Sequence, residues 1–320
     1  MKKSNLLFLT LLSATTLFFT ACNEDEPNVV EPTTAYDFIA ASANHTSLTA
    51  AIDAAGLAST LDNANSTFTV FAPDNDAFSA FLTANNFASL DAIPVDVLTN
   101  VLLNHVLGAK VNSGDLTSGY VSTLSPTSFG SEIMTSLYVN LDSGVRINGV
   151  SSVTGADNDV ANGTVHVVDA VIGLPTVVTF ATSNPALSSL VAALTAAGLP
   201  TDFVSALSGD GPFTVFAPTN DAFQALLDSD PNWNTVADIP TATLDAVLKY
   251  HVTTAGNVRS TDLSNGQTVP TLQGSDFTID LSGANPVINA GSNSANIITS
   301  LVDIQTTNGV VHVIDSVILP

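Results

Sequence analysis

An eleven-residue block, FTVFAPDNDAF from Phe68 to Phe78, returns as FTVFAPTNDAF from Phe213 to Phe223 with a single difference, Asp74 against Thr219. No other feature constrains the fold as strongly, because a repeated unit fixes the domain before any architecture is considered. A second block, NGTVHVVDAVIGLP from Asn162, returns as NGVVHVIDSVILP from Asn308, and between the two blocks His105 returns as His251. Earlier in each unit, Leu48, Ala51, Ile52, Ala55 and Gly56 correspond to Leu190, Ala193, Leu194, Ala197 and Gly198. Small loop insertions absorb the drift in spacing. Two units of about 140 residues therefore fill the chain from about Ala35 to Pro320.

Each unit begins helical. Leu48, Ala51, Ile52 and Ala55 lie on one helical face, and Gly56 sits where a left-handed C-cap is wanted. The run Phe68–Ala72 is β-branched or aromatic on both faces, as in a strand buried on both, and Pro73 ends it. Asp74 or Thr219 then N-caps a helix that turns Ala77, Phe78, Phe81 and Leu82, or Ala222, Phe223, Leu226 and Leu227, to the core. A further helix carries Val97, Val101, Leu102 and His105, matched by Leu244, Val247, Leu248 and His251. The later half of each unit changes to short Val/Ile/Thr runs broken by Gly, Asn, Asp and Ser, which read as antiparallel strands and hairpins. Helices first and strands later indicate an α+β class.

These blocks resemble the fasciclin-like domain: TVFAP followed by a polar pair and Ala-Phe, an Asn-His or Tyr-His pair on a helix, and a closing Asn-Gly-Val-Val-His-Val-Ile-Asp strand, all in both copies. The resemblance implies two tandem domains, 35–174 and 175–320, each a wedge-shaped β-sandwich flanked by helices, of a kind found in extracellular and cell-surface proteins that mediate adhesion. It also implies a candidate adhesion motif at Tyr250 and His251. The first unit departs from the family there, with Asn104 before His105. The Asp-Ile element is intact as Asp238-Ile239 and interrupted as Asp91-Ala92-Ile93.

Charge excludes whole classes of function. The chain has 29 acidic and 6 basic side chains, a net charge of −23, and beyond Cys22 its only cations are Lys110, Arg146, Lys249 and Arg259. Four scattered cations cannot neutralise a phosphate backbone or hold a protein on anionic lipid. With 45% hydrophobic residues the chain has the apolar content to fold.

The single cysteine makes no internal disulfide and no thiolate zinc cage, but its position is informative. Lys2 and Lys3, an apolar run from Leu6 to Phe19, and Thr20-Ala21 before Cys22 describe a secretory signal over 1–21. Its end resembles a bacterial lipobox, which implies cleavage before Cys22 and acylation of that residue as the lipid attachment. Residues 22–34 read as an acidic, flexible tether, resembling the export signal of lipoproteins displayed on the outer face of the outer membrane. The expected location is the outer membrane by lipid anchor, at the cell surface, with the periplasmic face as the alternative.

The polar residues of the repeats read as structural. His105 and His251 sit on apolar helix faces and His166 and His312 within valine-rich strands, without the convergent donors zinc requires. Asp76 and Asp221, in first helical turns, are expected to help hold the histidine helix. Asp169 and Asp315, in the closing strands, lack a second carboxylate at fixed spacing for acid–base work. Asp157 in the 155–159 stretch offers hard oxygen donors, yet its counterpart in the second unit keeps only Asp303, far from a complete calcium loop. With one tryptophan, Trp233, no aromatic sugar platform is evident. No GxSxG elbow, P-loop or dinucleotide fingerprint occurs. The expectation is a non-enzymatic, lipid-anchored module with no cofactor and no metal. Its expected partners are cell-surface or matrix proteins or polysaccharide, in adhesion or biofilm cohesion. The alternative is an envelope scaffold binding polysaccharide or another envelope protein, and a hydrolase would need a pocket with convergent carboxylates.

Overall fold

The computed structural model describes residues 33–320; the signal segment, Cys22 and the tether up to residue 32 lie outside the described residues. Thr33 and Thr34 belong to the fold and not to the tether. The Thr33 carbonyl accepts from Ala161 N–H at 2.8 Å, and Thr34 Oγ1 accepts from Asp37 N–H at 3.2 Å while Thr34 N–H donates back to Asp37 Oδ2 at 3.1 Å. This reciprocal cap satisfies the first free donors of helix α1 (Ala35–Ala40).

The first domain continues with α2 (Thr46–Ala54), α3 (Ala58–Leu61), β1 (Phe68–Pro73), α4 (Asn75–Ala84), α5 (Val95–Leu103) and β2 (Val106–Leu107), then β3 (Gly119–Thr127), β4 (Gly130–Asn140), β5 (Arg146–Ile147), β6 (Ser151–Val160) and β7 (Gly163–Val168). The second repeats the order: α6 (Val177–Ser183), α7 (Ser188–Leu194), α8 (Phe203–Leu207), β8 (Phe213–Pro218), α9 (Asn220–Leu227), α10 (Thr241–Tyr250), β9 (Val252–Thr253), then β10 (Thr268–Pro270), β11 (Asp276–Asp280), β12 (Val287–Asn289), β13 (Ser294–Asn296), β14 (Ile304–Gln305) and β15 (Gly309–Ile314). Early helices and late strands give the α+β class read from the pattern.

Several local expectations hold in detail. Asp74 Oδ1 accepts from Ala77 N–H at 2.8 Å and Thr219 Oγ1 from Ala222 N–H at 3.2 Å, so either residue type starts the helix after the FTVFAP strand. Gly56 and Gly198 take φ of +69° and +81° at the ends of their helices.

The later strands of each unit pair antiparallel, as their pattern predicts, while the FTVFAP strand adds a parallel pairing with the closing block that the pattern does not indicate. β1 lies parallel to β7, Phe68 opposite Gly163, and β8 lies parallel to β15, Phe213 opposite Gly309. The two blocks that define the repeat are therefore neighbours in space. Glycine opens this pairing because the strands approach closely: a Cβ at Gly163 would fall 1.8 Å from the Phe68 carbonyl oxygen, and one at Gly309 2.2 Å from that of Phe213.

Alternating residues of the paired strands serve two cores. Val70 and Ala72, like Val215 and Ala217, join the helical cluster, whereas Phe71 and Phe216 join the cluster inside the strand layers. In the first domain all strands form one sheet, ordered β2-β1-β7-β6-β5-β4-β3, because β6 runs through both layers and bends at register shifts on either side of Gly155. In the second domain the corresponding stretch breaks into β13 and β14, leaving two four-stranded sheets, β10-β11-β12-β13 and β14-β15-β8-β9.

Candidate functional site

The histidines occupy the centre of each domain and serve its fold. His105 lies two residues beyond the end of α5, and His251 caps α10, so both stand at a helix terminus and not on its face. His105 Nδ1 donates to the Val101 carbonyl at 2.7 Å and its Nε2 accepts from Ile172 N–H at 2.8 Å. His251 repeats this with Val247, 2.7 Å, and Ile318, 3.0 Å. An acceptor nitrogen requires the neutral ring, and burial lowers both to a pKa of about 4. Each ring ties its helix to the segment following the closing strand.

His166 and His312 use the opposite tautomer. His166 Nε2 donates to the Val111 carbonyl at 3.0 Å and Nδ1 accepts from Asp157 N–H at 3.1 Å. His312 does the same with Val258 at 2.9 Å and Asp303 at 3.4 Å, and burial lowers its pKa. Asp157 and Asp303 complete the arrangement from positive-φ positions of +58° and +56°. Asp157 accepts from the N–H and hydroxyl of Ser113 at 2.7 and 2.5 Å, which hold its pKa below the usual range, and Asp303 accepts from the N–H and hydroxyl of Ser260. The oxygens considered for calcium are thus engaged by the chain itself. Among the described residues no group of three or more His, Cys, Asp or Glu side chains is placed to hold a metal ion.

The candidate adhesion motif is buried. Asn104, His105, Tyr250 and His251 are 0–3% exposed, so none can touch a partner from the folded state. The Tyr250 hydroxyl donates to the Asp276 carbonyl at 2.9 Å and accepts from Gly291 N–H at 3.2 Å; burial raises its pKa. Asn104 replaces it with a different bridge: its Nδ2 donates to the Ile172 and Gly173 carbonyls at 3.3 and 3.1 Å, and its Oδ1 accepts from the Thr135 hydroxyl at 2.8 Å. Both residues knit a helix end to the strand layers.

Asp76 and Asp221 are exposed and, among the described residues, bond to nothing that would hold the histidine helix. The residue before each performs the tertiary work. Asn75 Oδ1 accepts from Ser47 N–H at 2.9 Å and its Nδ2 donates to the Ala43 carbonyl at 3.0 Å; Asn220 repeats this with Ser189 and Pro185, both at 2.9 Å. Asp169 and Asp315 are strand connectors, accepting from Ser152 N–H at 2.6 Å and Asn296 N–H at 2.8 Å. Asp238 accepts from the N–H groups of Asn234 and Thr235, which depress its pKa, while Ile239 and its counterpart Ile93 are buried.

Asn162 and Asn308, absent from the expected set, are buried clamps. Asn162 Oδ1 accepts from Ala35 N–H at 2.8 Å and its Nδ2 donates to the Leu61 carbonyl at 2.7 Å. Asn308 Oδ1 accepts from Val177 N–H at 3.0 Å and its Nδ2 donates to the Leu207 and Gly209 carbonyls at 2.9 and 2.8 Å. Their appearance in both copies of the closing block was the available signal.

The domains meet through an aromatic contact. Tyr120 on β3 and Tyr138 on β4 pack in a tilted pair at 4.9 Å, and Tyr120 meets Phe180 of α6 edge-on at 5.3 Å. Asn184 Nδ2 donates to the Tyr120 hydroxyl at 3.0 Å, and Gln305 N–H donates to Ser136 Oγ at 3.1 Å. The first domain's counterpart of Phe180 is Phe38, which is partly exposed where Phe180 is buried. A polar pair tracks the same difference. Lys110 and Asp159 form an ion pair on the exposed side of the first domain, and at the matching positions beside the junction stand the neutral amides Asn257 and Gln305, joined at 3.0 Å. Neutral groups are placed where desolvation of a charge would be costly.

The fasciclin domain model matches this chain twice, over residues 43–175 and 185–320. The chain belongs to the fasciclin family. Human Periostin is 31% identical to this fasciclin chain over 274 residues, covering 79% of the chain but 28% of Periostin itself, so the chain spans under a third of that relative's length. A Synechocystis protein is 40% identical over 146 residues, which are 46% of this chain and 98% of the Synechocystis protein. A solved FAS1 domain pair from the insect cell adhesion molecule Fasciclin I superposes with a TM-score of 0.51 at 21% identity, covering 86% of this chain and 97% of that one. The tandem fasciclin fold is thus shared across the pair.

Proposed function

We propose that this fasciclin chain is a non-enzymatic adhesion module, acylated at Cys22 and displayed at the cell surface on an acidic tether, that joins the cell to neighbouring cells, matrix proteins or polysaccharide. The observation that carries the reading is the tandem fasciclin match over nearly all of the described chain. It is supported by the intramolecular bonds of His105, His251, His166, His312, Asp169 and Asp315, which occupy these groups within the fold. Two domains fixed together by an aromatic junction offer two surfaces at a constant separation, which favours bivalent engagement of a repetitive partner.

Protease treatment of intact cells tests the display. Digestion of the chain without lysis is the expected result. Protection until lysis would instead favour the inward-facing envelope scaffold.

A further inference from the structure

Where the two domains meet, a groove of about 700 Å³ runs between α4 and α5, the β5–β6 turn, the interdomain segment 173–176 and α6. In a chain of net charge −23, none of the described residues lining it is ionisable. Its floor presents the partly exposed rings of Phe81 and Phe87, with Val150, 58% exposed, on one wall.

The polar groups of the groove are uncharged and only partly used. Asn148 stands in the β5–β6 turn at φ +49° and is 4% exposed. Its Oδ1 accepts from Tyr138 N–H at 2.7 Å, which fixes the amide orientation and leaves Nδ2 a buried donor with no partner. Acceptors face the same space. Asn85 spends its Nδ2 on the Phe81 carbonyl at 2.8 Å and keeps Oδ1 free; Thr182 spends its hydroxyl proton on backbone carbonyls of α6 at 3.0 and 3.1 Å. An unsatisfied donor and free neutral acceptors on residues lining one groove suit a ligand group that both donates and accepts, which is the property of a hydroxyl.

We propose that this groove is a binding site for an uncharged polysaccharide chain. Its hydroxyls meet Asn85 Oδ1 and Thr182 Oγ1 and, on a small shift of the β5–β6 turn that uncovers the buried amide, Asn148 Nδ2, and its apolar sugar faces lie against Phe81 and Phe87. Acidic polysaccharides are excluded by the negative field of the whole chain. The volume falls within the range of small-ligand sites, and the groove is open to solvent, so a segment of a longer polymer can enter it. The proposal rests on the reading of the chain as a binding module and names what one of its surfaces takes.

The test is calorimetric titration of the purified full chain, in a detergent without a sugar headgroup, with cellohexaose, laminarihexaose, isomaltohexaose and chitohexaose, and with an alginate hexamer as the charged comparison. At least one neutral hexasaccharide is expected to bind at one site per chain. Asn148→Asp, which keeps the acceptor for Tyr138 N–H and removes the free donor, is expected to weaken it at least tenfold. Thr182→Glu, at an exposed helix position, is expected to do the same by placing a charge on the rim; it decides the question should Asn148→Asp disturb folding. Failure of all four neutral probes, equal binding by wild type and Thr182→Glu, or preference for alginate would each overturn the proposal. So would variant-sensitive binding of an uncharged apolar hexapeptide in place of the sugars. The titration uses no cells, so its failure leaves the protease and attachment tests of the adhesion reading to be judged separately.

Discussion

Asn308→Ala removes one side chain from the centre of the second domain, and its cost follows from what it strands. The amide serves Val177 N–H, Leu207 O and Gly209 O, and accepts from the Thr306 hydroxyl at 3.1 Å. Alanine leaves a buried donor and two carbonyls without partners, and each orphan costs about 1–3 kcal/mol. Allowing for water at the half-buried Gly209 end, the loss is about 3–5 kcal/mol. With a urea m-value of about 1–3 kcal/mol/M, the unfolding midpoint falls by roughly 1–5 M. Trp233, the chain's single tryptophan, packs against the second domain's core, so its fluorescence reports this transition directly. Asn162→Ala is the twin in the first domain, followed by circular dichroism. A loss below about 1 kcal/mol in both variants would refute the claim that the closing-block asparagine clamps each domain's entry helix.

Stability should fall on mild acidification. His105 and His251 have folded pKa values of about 4 against 6.5 unfolded, so below pH 6.5 the unfolded state binds more protons and stability declines toward pH 4, by up to about 3 kcal/mol per ring. Urea midpoints between pH 7 and 5, above the carboxylate range, read the buried histidines together, since burial lowers His312 and His45 in the same direction; a profile that is flat or rises on acidification contradicts the effect. Gln305→Glu buries a carboxylate at the domain junction and should cost about 3 kcal/mol or more, whereas Asp159→Gln, breaking the exposed ion pair, should cost under about 1 kcal/mol, both read by urea unfolding. A synthetic peptide spanning Tyr250-His251 should not compete with cell attachment, because those side chains face inward; competition at micromolar peptide would show the motif acting from an opened state.

Much of the fold was legible because it is local. Caps at Asp74 and Thr219, the left-handed Gly56 and Gly198, and the doubly buried FTVFAP strand follow from residue types within a few positions of one another. The parallel union of that strand with the closing block was not, since its partner lies some 90 residues away and nothing in a short apolar strand names its neighbour. The same limit explains Asn75 and Asp76. First-turn acidity favours a helix terminus, but the choice of which side chain reaches a neighbouring helix is made by the facing direction, which gave the role to Asn75 and left Asp76 in solvent. Tyr250 and His251 carried a resemblance that points outward, while burial in a helix end turned them inward. The domain junction was invisible because Tyr120, Tyr138 and Phe180 come from strands and a helix far apart in the chain.

The central claim, that this chain holds cells to other things by surface contact from a lipid anchor, is tested most directly by attachment of intact cells. A strain lacking the chain is complemented with either the wild type or Cys22→Ser, and adhesion to the strain's own matrix is counted. The account predicts reduced attachment in the deletion, recovery with the wild type, and no recovery with Cys22→Ser at equal expression. Unchanged attachment on deletion, or full recovery with Cys22→Ser, would contradict it.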